Sequence, residues 1–359
     1  MAFFCVYYLL KFIESAYHMG GLSMANVCEL FLEREKATLS EYAFLTVNTR
    51  GREHPYVPCE NRTEFQRDRD KIIHSESFRC LMNKTQVFLA PNDAHYRTRL
   101  THTLEVTQIA RIIARALRLN EDLCEAIGLG HDLGHTPFGH AGEDAMQKCY
   151  SPDFTHYKQS LRVVEKLENG GKGLNLTYEV RDGIVNHTGE HMASTLEGVI
   201  VKFADRIAYI NHDIDDARRA KILTVEDIPR DIREVLGDEH SQRINTMVTS
   251  VIDYSTGKNR IGMAPEIQEA TDKLRAFMFE NVYSNPVAKG EENRAKEVLV
   301  RLFEYYTKNP DKMPELYRNN TKTEPVERCV CDFISAMTDR YAIEQYKELF
   351  IPKVWRGGE

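Results

Sequence analysis

Apolar residues recur every three or four positions along much of the chain, and no stretch sustains the alternation of apolar and polar residues that is typical of strands. The helical spacing is clearest in residues 102–118, 121–133 and 197–217. It predicts an all-α fold in which each helix buries one face. The main exception is Gln86–Leu89, for which we expect a minor hairpin or extended segment.

Charge and composition narrow the classes of protein that this chain can be. The 359 residues include 47 Lys and Arg against 54 Asp and Glu, a formal net charge of −7. The composition excludes a disordered, collagen-like or small disulfide-rich protein. The excess of acidic residues argues against a protein that coats nucleic acid or anionic membranes through bulk charge. We therefore expect neither nucleic acid as the main partner nor a membrane.

The eight cysteines are scattered and include no C-x-x-C pair, which favours a reducing cytoplasm as the location of the protein. Residues 2–10 are apolar, but no Lys or Arg precedes them, and a stretch of this length is too short to span a bilayer. We expect neither a signal peptide nor an anchor there. Because Met24 opens a more polar stretch, residues 1–23 are expected to be dispensable.

Nine of the 13 histidines lie between positions 95 and 212, which is the first indication of a functional site. His131 and Asp132 close one predicted helix before a glycine-rich turn, while His102 and Asp205 lie on two other helices. Two neutral imidazoles and two carboxylates suit a divalent ion. Taken singly, each residue is more often an ordinary hydrogen-bonded group at a helix end. Two carboxylates buried among apolar neighbours would, however, be costly without a cation.

Long segments of the chain, in a fixed order, carry a family resemblance. They are RDRDKIIHSESFRCLMNKTQVF, YRTRLTHTLEV, GLGHDLGHTPFGHAGE, FTHYKQSLRVVE and VKFADRIAYINHDIDDA. Together they resemble the HD superfamily of metal-dependent phosphohydrolases, and within it the deoxynucleoside triphosphate triphosphohydrolases of the dGTPase-like branch. The resemblance covers residues 38–220 strongly and 325–352 more weakly.

The resemblance implies a fold, a reaction and a metal site. The fold is the helical HD-domain phosphohydrolase fold. The reaction is hydrolysis of a dNTP to a deoxynucleoside and tripolyphosphate, by attack of water at the α-phosphate. The implied metal ligands are His102, His131, Asp132 and Asp205, and the ion is Mn²⁺ or Mg²⁺ in the first place, with Fe²⁺ and Zn²⁺ as alternatives.

The same resemblance divides the chain into three parts. We expect an N-terminal extension (1–37), an HD-domain catalytic core (38–220) and a C-terminal helical region packed on the core (221–359). Within the last part, residues 225–320 are more charged and are expected to form surface helices.

The sequence after Asp132 suggests the proton-handling groups. Pro137 and the nearby glycines break the helix, so that a new helix should restart near His140. His140 and Glu143 then share one face, and a carboxylate that orients an imidazole makes it a suitable general acid. In the family these positions form the proton-handling dyad.

Two further histidines, His135 and His156, resemble phosphate-contacting residues of the family. We count His135 among the catalytic residues and His156 among the substrate-binding residues. Structural hydrogen bonding remains the alternative for both.

Three cations are candidates for binding the phosphate tail: Arg99, Lys158 and Arg206. Arg99 precedes His102 by one helical turn and resembles the phosphate-binding arginine of the family. A guanidinium can contact phosphate oxygens through two parallel bonds, whereas a lysine acts as a point charge. The alternative for Lys158 and Arg206 is a solvated surface cation.

A polar stripe formed by Asp205, Tyr209 and Asp213, spaced four residues apart on one helix, is the candidate sugar site. By resemblance, Tyr209 stacks on the sugar, while Asp213 and Gln86 bind the 3′-hydroxyl. Otherwise Tyr209 would be a boundary aromatic and Asp213 a surface charge.

The chain departs from the usual family pattern at three places. It has Arg79–Cys80 where relatives usually have two arginines. The common H-N-x-Q-S motif reads His156-Tyr157-Lys158-Gln159-Ser160, and Arg206 stands in place of an acidic residue. These departures leave the preferred base and the contacts of the phosphate tail open.

Two other functions stay open at this point. One is an HD-type phosphodiesterase or nucleotidase that acts on other nucleotides. The other is a nucleotide-sensing or single-strand nucleic-acid-binding module with little turnover. The resemblance also suggests a homo-oligomer and a possible nucleotide activator.

Overall fold

Helices form the regular structure in the computed structural model, which describes residues 26–86, 95–283 and 286–353. The helices are Val27–Thr38 (α1), Glu64–Ile73 (α2), Glu76–Cys80 (α3), Arg99–Leu117 (α4), Glu121–Gly130 (α5), His140–Cys149 (α6), His156–Arg162 (α7), Glu168–Gly171 (α8), Tyr178–Val185 (α9), Leu196–Arg219 (α10), Arg230–Leu236 (α11), His240–Ser255 (α12), Pro265–Asn281 (α13), Pro286–Lys308 (α14), Glu315–Asn320 (α15), Val326–Ala336 (α16) and Asp339–Phe350 (α17). None of these helices is both long and apolar enough to cross a membrane.

The prediction of an all-α fold is confirmed. Within the described residues there is no strand, and only two isolated bridges occur, Arg52 with Thr177 and Thr85 with Thr98. Most of the expected extended piece, 87–89, lies outside the described residues, as do the apolar N-terminal stretch and residues 1–23. The expectations about those segments therefore stay predictions.

Three helices form the centre of the main hydrophobic core: α4, α5 and α10. Thr98 caps the N-terminus of α4, where its hydroxyl accepts a hydrogen bond from the backbone N–H of Thr101, and Arg118, in a left-handed conformation (φ 53°), caps the C-terminus. Such caps satisfy backbone groups that a helix end leaves free. The apolar stripe predicted for 197–217 faces this core and packs α10 against α4 and α5.

Helices α11 to α13 correct the expectation that 225–320 forms only surface helices. Met247, Val251, Leu274 and Met278 are fully buried in the main core. Apart from the buried Arg243, the charged residues of α11 to α13 are exposed or half-buried, while apolar residues recur at helical spacing on the inner faces. The large share of charged residues in this stretch therefore concealed its buried faces.

A second hydrophobic cluster joins the segment that follows the H-D pair to the C-terminal helices. Phe138 and Met146 pack there with Leu299 of α14, Phe333 of α16 and Ala342 of α17. The C-terminal helices thus lie directly behind the turn that leads into α6. The exact boundaries of the three expected parts stay a prediction.

The turn between α5 and α6 depends on close backbone packing. A side chain at Gly134 would place its Cβ 2.1 Å from the backbone N of Ser160, so only glycine fits. The Ser160 hydroxyl accepts a hydrogen bond from the Gly134 N–H (2.9 Å) and donates one to the His131 carbonyl (2.7 Å). This packing holds the end of α5 in place and directs the following residues back across the helix ends.

Candidate active site

Four side chains converge where α4, the end of α5 and α10 meet. The Nε2 atom of His102 lies 3.1 Å from Oδ1 of Asp205 and 3.9 Å from Oδ2 of Asp132. The Nε2 atom of His131 lies 3.5 Å from Oδ1 of Asp132 and 3.9 Å from Oδ1 of Asp205. The structure therefore brings together all four residues that the sequence assigned to a metal.

The chemistry of these four groups fits a divalent cation. The Nδ1 atom of His131 lies 2.7 Å from the Gly128 carbonyl, which fixes the proton on Nδ1, while Nε2 is buried and has no hydrogen-bond partner. Burial raises the pKa of the Asp205 carboxyl, but the hydrogen bond from His102 and the nearby imidazoles hold it below its usual value. Lone pairs on nitrogen and ionised oxygens facing one point are what Mn²⁺, Mg²⁺, Fe²⁺ and Zn²⁺ require.

Arg99 is part of the same charged group. It is buried, and its Nη1 donates to Oδ2 of Asp132 over 2.8 Å, while its Nε has no hydrogen-bond partner. Burial raises the pKa of the Asp132 carboxyl, but the imidazoles of His131 and His135 and the Arg99 guanidinium bring it well below its usual range. Asp132 therefore stays ionised between a guanidinium and the proposed metal position.

Glu143 connects two imidazoles. Its carboxylate accepts from the backbone N–H of His156 (3.0 Å) and lies 3.1 Å from Nδ1 of that residue, against 3.6 Å from Nδ1 of His140. Burial lowers the pKa of His156, but the hydrogen bond to Glu143, together with the negative charges of Glu143 and Asp132, outweighs it and the net shift is upward. The side chain of His140 is 81% exposed. Sequence spacing alone indicated the His140 contact and missed the shorter contact with His156.

His135 lies between the metal ligands and this acid–base group. Its ring stacks on that of His156, with centroids 4.0 Å apart and planes inclined by 12°, and its Nε2 lies 3.3 Å from Oδ1 of Asp132. Burial, with the Arg99 charge in support, holds the pKa of His135 well below its usual value. A neutral imidazole at this place can donate one hydrogen bond without adding charge.

A cavity of about 550 Å³ opens in front of these groups. At its inner end lie Arg99, His102, Asp132 and Asp205. The described residues that line the rest of the cavity include Gln86, His135, His140, His156, Tyr209, Asp213, Arg275, Phe279 and Tyr283. The volume is sufficient for a nucleotide-sized molecule.

The far side of the cavity offers two hydrogen-bond acceptors that lack partners. Asp213 is fully buried, with Oδ1 unpartnered and Oδ2 accepting from the Tyr283 hydroxyl. Gln86 likewise has a buried Oε1 without a partner. Burial raises the pKa of Asp213 to about 7 and that of Tyr209, one turn before it on α10, to about 12. The site is thus prepared for a ligand that donates a hydroxyl hydrogen.

Comparison with known proteins shows the family to which this chain belongs. The HD domain family matches residues 99–210, a span that contains all four candidate metal ligands, and the phosphohydrolase-associated domain family matches residues 261–348. A deoxyguanosinetriphosphate triphosphohydrolase-like protein of Caldanaerobacter subterraneus subsp. tengcongensis is 56% identical over 330 residues, which cover 92% of this chain and 97% of the relative.

A second such protein, from Desulfatibacillum aliphaticivorans, is 48% identical over 348 residues and covers 91% of this chain and 99% of its own. The chain belongs to the HD-domain family of deoxyguanosinetriphosphate triphosphohydrolase-like proteins. It is a phosphohydrolase of the HD type. The crystal structure of a phosphohydrolase from Bacteroides thetaiotaomicron shares the fold, with a TM-score of 0.51, 17% identity, and coverage of 78% of this chain and 68% of that one.

The structure of this HD-domain protein does not bring two of the predicted cations to the cavity. Lys158 is exposed and donates to the carbonyl of Asp153 (3.2 Å), because it lies two residues after His156 and so faces the opposite side of α7. Arg206 follows Asp205 directly and points about 100° away around α10, where it approaches Asp272 (3.6 Å). Neither is among the residues that line the cavity.

Sequence analysis missed one wall of the cavity in this HD-domain protein. Arg275 and Phe279 near the end of α13 line it, together with Tyr283 two residues beyond the helix. The spacing of four residues between this arginine and the two aromatic residues was a usable signal. These residues lie 70 or more positions after Asp205, in the charged stretch 225–320 that we expected to form surface helices.

The metal assignment predicts a loss of binding on substitution of one ligand. Mn²⁺ added to chelator-treated protein should bind one ion per chain and stabilise the fold by about 2.7 kcal/mol at a hundredfold excess over the dissociation constant. Asp205→Ala should abolish both effects, since it removes a charged ligand. Asp144→Ala removes a carboxylate from the same cavity outside the ligand set and should retain both. Metal analysis and thermal melts measure the two quantities, and full metal content in Asp205→Ala would contradict the assignment.

The environment of Asp213 predicts a pH-dependent stability. Because its pKa is about 7 in the folded chain and about 3.9 in an unfolded one, the folded protein retains a proton that the unfolded chain has released between these pH values. The free energy of unfolding should therefore fall as the pH rises through that window. Asp213→Asn should remove this loss and be more stable than the wild type by on the order of 1–3 kcal/mol at pH 8, with little difference near pH 4. Urea unfolding at both pH values measures it, and a difference independent of pH would refute the explanation.

Proposed function

We propose that the protein hydrolyses deoxynucleoside triphosphates, dGTP or a similar dNTP, to a deoxynucleoside and tripolyphosphate by attack of water at the α-phosphate. The observation that carries the proposal is that one helix, α10, presents Asp205, Tyr209 and Asp213 to one cavity. A metal ligand at one end and an unpartnered hydroxyl acceptor at the other suit a ligand with phosphate and sugar at the matching ends. The names of the similar proteins point to the same substrate class.

The residues that would hold the cofactor are His102, His131, Asp132 and Asp205. A divalent ion there, Mn²⁺ or Mg²⁺ in the first place, would stabilise charge on the α-phosphate and lower the pKa of a water molecule. The unpartnered Nε2 of His131 and the ionised carboxylates support this role.

The phosphate tail is held by Arg99 and the two stacked histidines in this proposal. Arg99 has a free Nε beside its contact with Asp132, and the rings of His135 and His156 face the same cavity. Arg275, which also lines the cavity, adds a guanidinium that the sequence analysis did not assign. Positioning and charge neutralisation are the main contributions that a protein makes to phosphoryl transfer.

His140 is proposed to protonate the departing 5′-oxygen of the deoxynucleoside. It lies at the N-terminal end of α6 on the cavity wall, 3.6 Å from the Glu143 carboxylate. The Glu143 carboxylate would stabilise the charged form of the His140 imidazole. His156, however, lies closer to the same carboxylate. Comparing variants of the two histidines therefore tests which of them is the general acid.

Recognition of the sugar is assigned to Tyr209, Asp213 and Gln86. Asp213 Oδ1 and Gln86 Oε1 would accept the hydrogen of a 3′-hydroxyl and thereby gain the partner that each lacks. Tyr209, packed against the sugar at C2′, would leave no room for a ribose hydroxyl.

Cytoplasmic location, homo-oligomer formation and activation by a nucleotide complete the proposal. The free thiols of the described cysteines support a reducing compartment. For the oligomer and the activator the support is the family resemblance alone. Nucleic acid is proposed not to be the main partner, given the net charge of −7.

The reaction predicts a specific isotope pattern. In H₂¹⁸O with Mn²⁺ or Mg²⁺, each turnover should place one ¹⁸O atom in tripolyphosphate and none in the deoxynucleoside, because water bonds to the α-phosphorus and the bond to O5′ breaks. Mass spectrometry of the products of all four dNTPs, offered singly and mixed, measures this, and activity in the mixture alone would indicate an activator. Formation of dNMP and pyrophosphate would show a different reaction, and nucleotide binding without turnover would favour a sensing module.

The proton-transfer assignment predicts different effects for two neighbouring histidines. His140→Asn should lower kcat by about 10²–10⁴-fold with the metal content retained, since it removes the proton donor. His156→Asn should have a smaller effect on kcat and a larger one on KM, and the exposed His191→Asn serves as the control. Steady-state kinetics separate these outcomes. A His140→Asn enzyme that outperforms His156→Asn in kcat would transfer the general-acid role to His156.

A further inference from the structure

A buried lysine joins three segments, two of which carry candidate active-site residues. Lys84 is 2% exposed, and its Nζ donates to the carbonyls of His135 (2.5 Å) and Ser335 (2.7 Å). Its own carbonyl accepts from the backbone N–H of Arg99 (3.0 Å). One residue thus connects the start of α4, the turn after the H-D pair and the end of α16.

Asp339, the first residue of α17, makes a parallel connection. Its Oδ2 accepts from the backbone N–H (3.0 Å) and the hydroxyl (2.6 Å) of Thr85. Its Oδ1 accepts from the backbone N–H of Phe138 (2.9 Å). The carboxylate therefore ties the segment before Gln86 to the same turn that Lys84 holds.

The turn needs such support, because its backbone is strained. Phe138 has a φ angle of 63°, in a region that a residue with a Cβ atom disfavours, and Gly139 follows with a φ of 56°. A strained conformation persists only where several surrounding interactions fix it. The Phe138 ring is buried in the second hydrophobic cluster, and the next helix begins at His140.

We propose that Lys84 and Asp339 act as a clamp that positions the turn bearing His135 and His140 against Gln86 and Arg99, with the C-terminal helices as its fixed support. Both are positioning residues, since they act through the turn and through Thr85. The consequence for catalysis rests on the proposed function, whereas the effect on the turn does not.

The chain offers a matched control for the lysine. Lys71 on α2 also donates from Nζ to two main-chain carbonyls, those of Leu174 and Asn175 (2.9 Å each). It lines a separate cavity of about 880 Å³ that contains none of the candidate catalytic or metal-binding residues. Lys71→Met therefore removes the same kind of interaction away from the strained turn.

The test combines amide hydrogen exchange with kinetics in Lys84→Met, Asp339→Asn and Lys71→Met. In the first two variants, amides of residues 134–142 should exchange about tenfold faster or more, while those of 240–255 on α12 keep the wild-type rate. The kcat should fall about 10–100-fold with a smaller change in KM and unchanged metal content, since a misplaced turn impairs the reaction more than binding. Lys71→Met should alter the melting temperature alone.

Each outcome decides the proposal. Exchange at 134–142 and kcat in Lys84→Met that match Lys71→Met would overturn it. If Lys84→Met does not fold, Asp339→Asn, which keeps the shape of the side chain, decides by the same two readouts. If the wild type hydrolyses no dNTP, the proposed function fails, and the exchange rates of the turn still test the clamp.

Discussion

Two carboxylates withdrawn from solvent, the buried Asp132 and the half-buried Asp205, are the constraint on which the rest of the structure depends. Burial opposes their ionised state, yet both have lowered pKa values because imidazoles and a guanidinium surround them. Such an arrangement is stable only if positive charge stays within a few ångströms of the oxygens. The packing of α4, α5 and α10 supplies that geometry, since α4 carries His102, α10 carries Asp205, and His131 and Asp132 directly follow the last residue of α5.

The elements around this centre have separate tasks. Helix α10 spans the length of the cavity, so that a single rigid element sets the distance between Asp205 and Asp213. The turn after α5 has no regular structure of its own and is held by Ser160, Lys84 and Asp339. The C-terminal helices thus support the site although they supply none of the candidate metal ligands.

Features that depend on residues close in sequence were predictable, whereas contacts between distant segments were not. The all-α fold and the convergence of His102, His131, Asp132 and Asp205 were predictable, because helical periodicity and family motifs are local signals. The contact of Glu143 with His156 was not, since it joins two helices whose relative placement no spacing reveals. Lys158 and Arg206 were assigned by their nearness in sequence to site residues, but helix geometry turns neighbouring residues to different faces. Arg275 and Tyr283 were missed because only tertiary packing brings α13 to the cavity.

The proposed reaction requires that a single cavity hold both a divalent ion at the H-D centre and a deoxynucleotide whose sugar reaches Asp213. A crystal structure of the protein with Mn²⁺ and a non-hydrolysable deoxynucleoside triphosphate analogue tests it directly, with anomalous scattering to locate the metal. The ion is expected between His102, His131, Asp132 and Asp205, with the α-phosphate beside it and the 3′-oxygen within hydrogen-bond distance of Asp213 and Gln86. An ion bound elsewhere, or a nucleotide whose sugar lies away from Asp213, would contradict it.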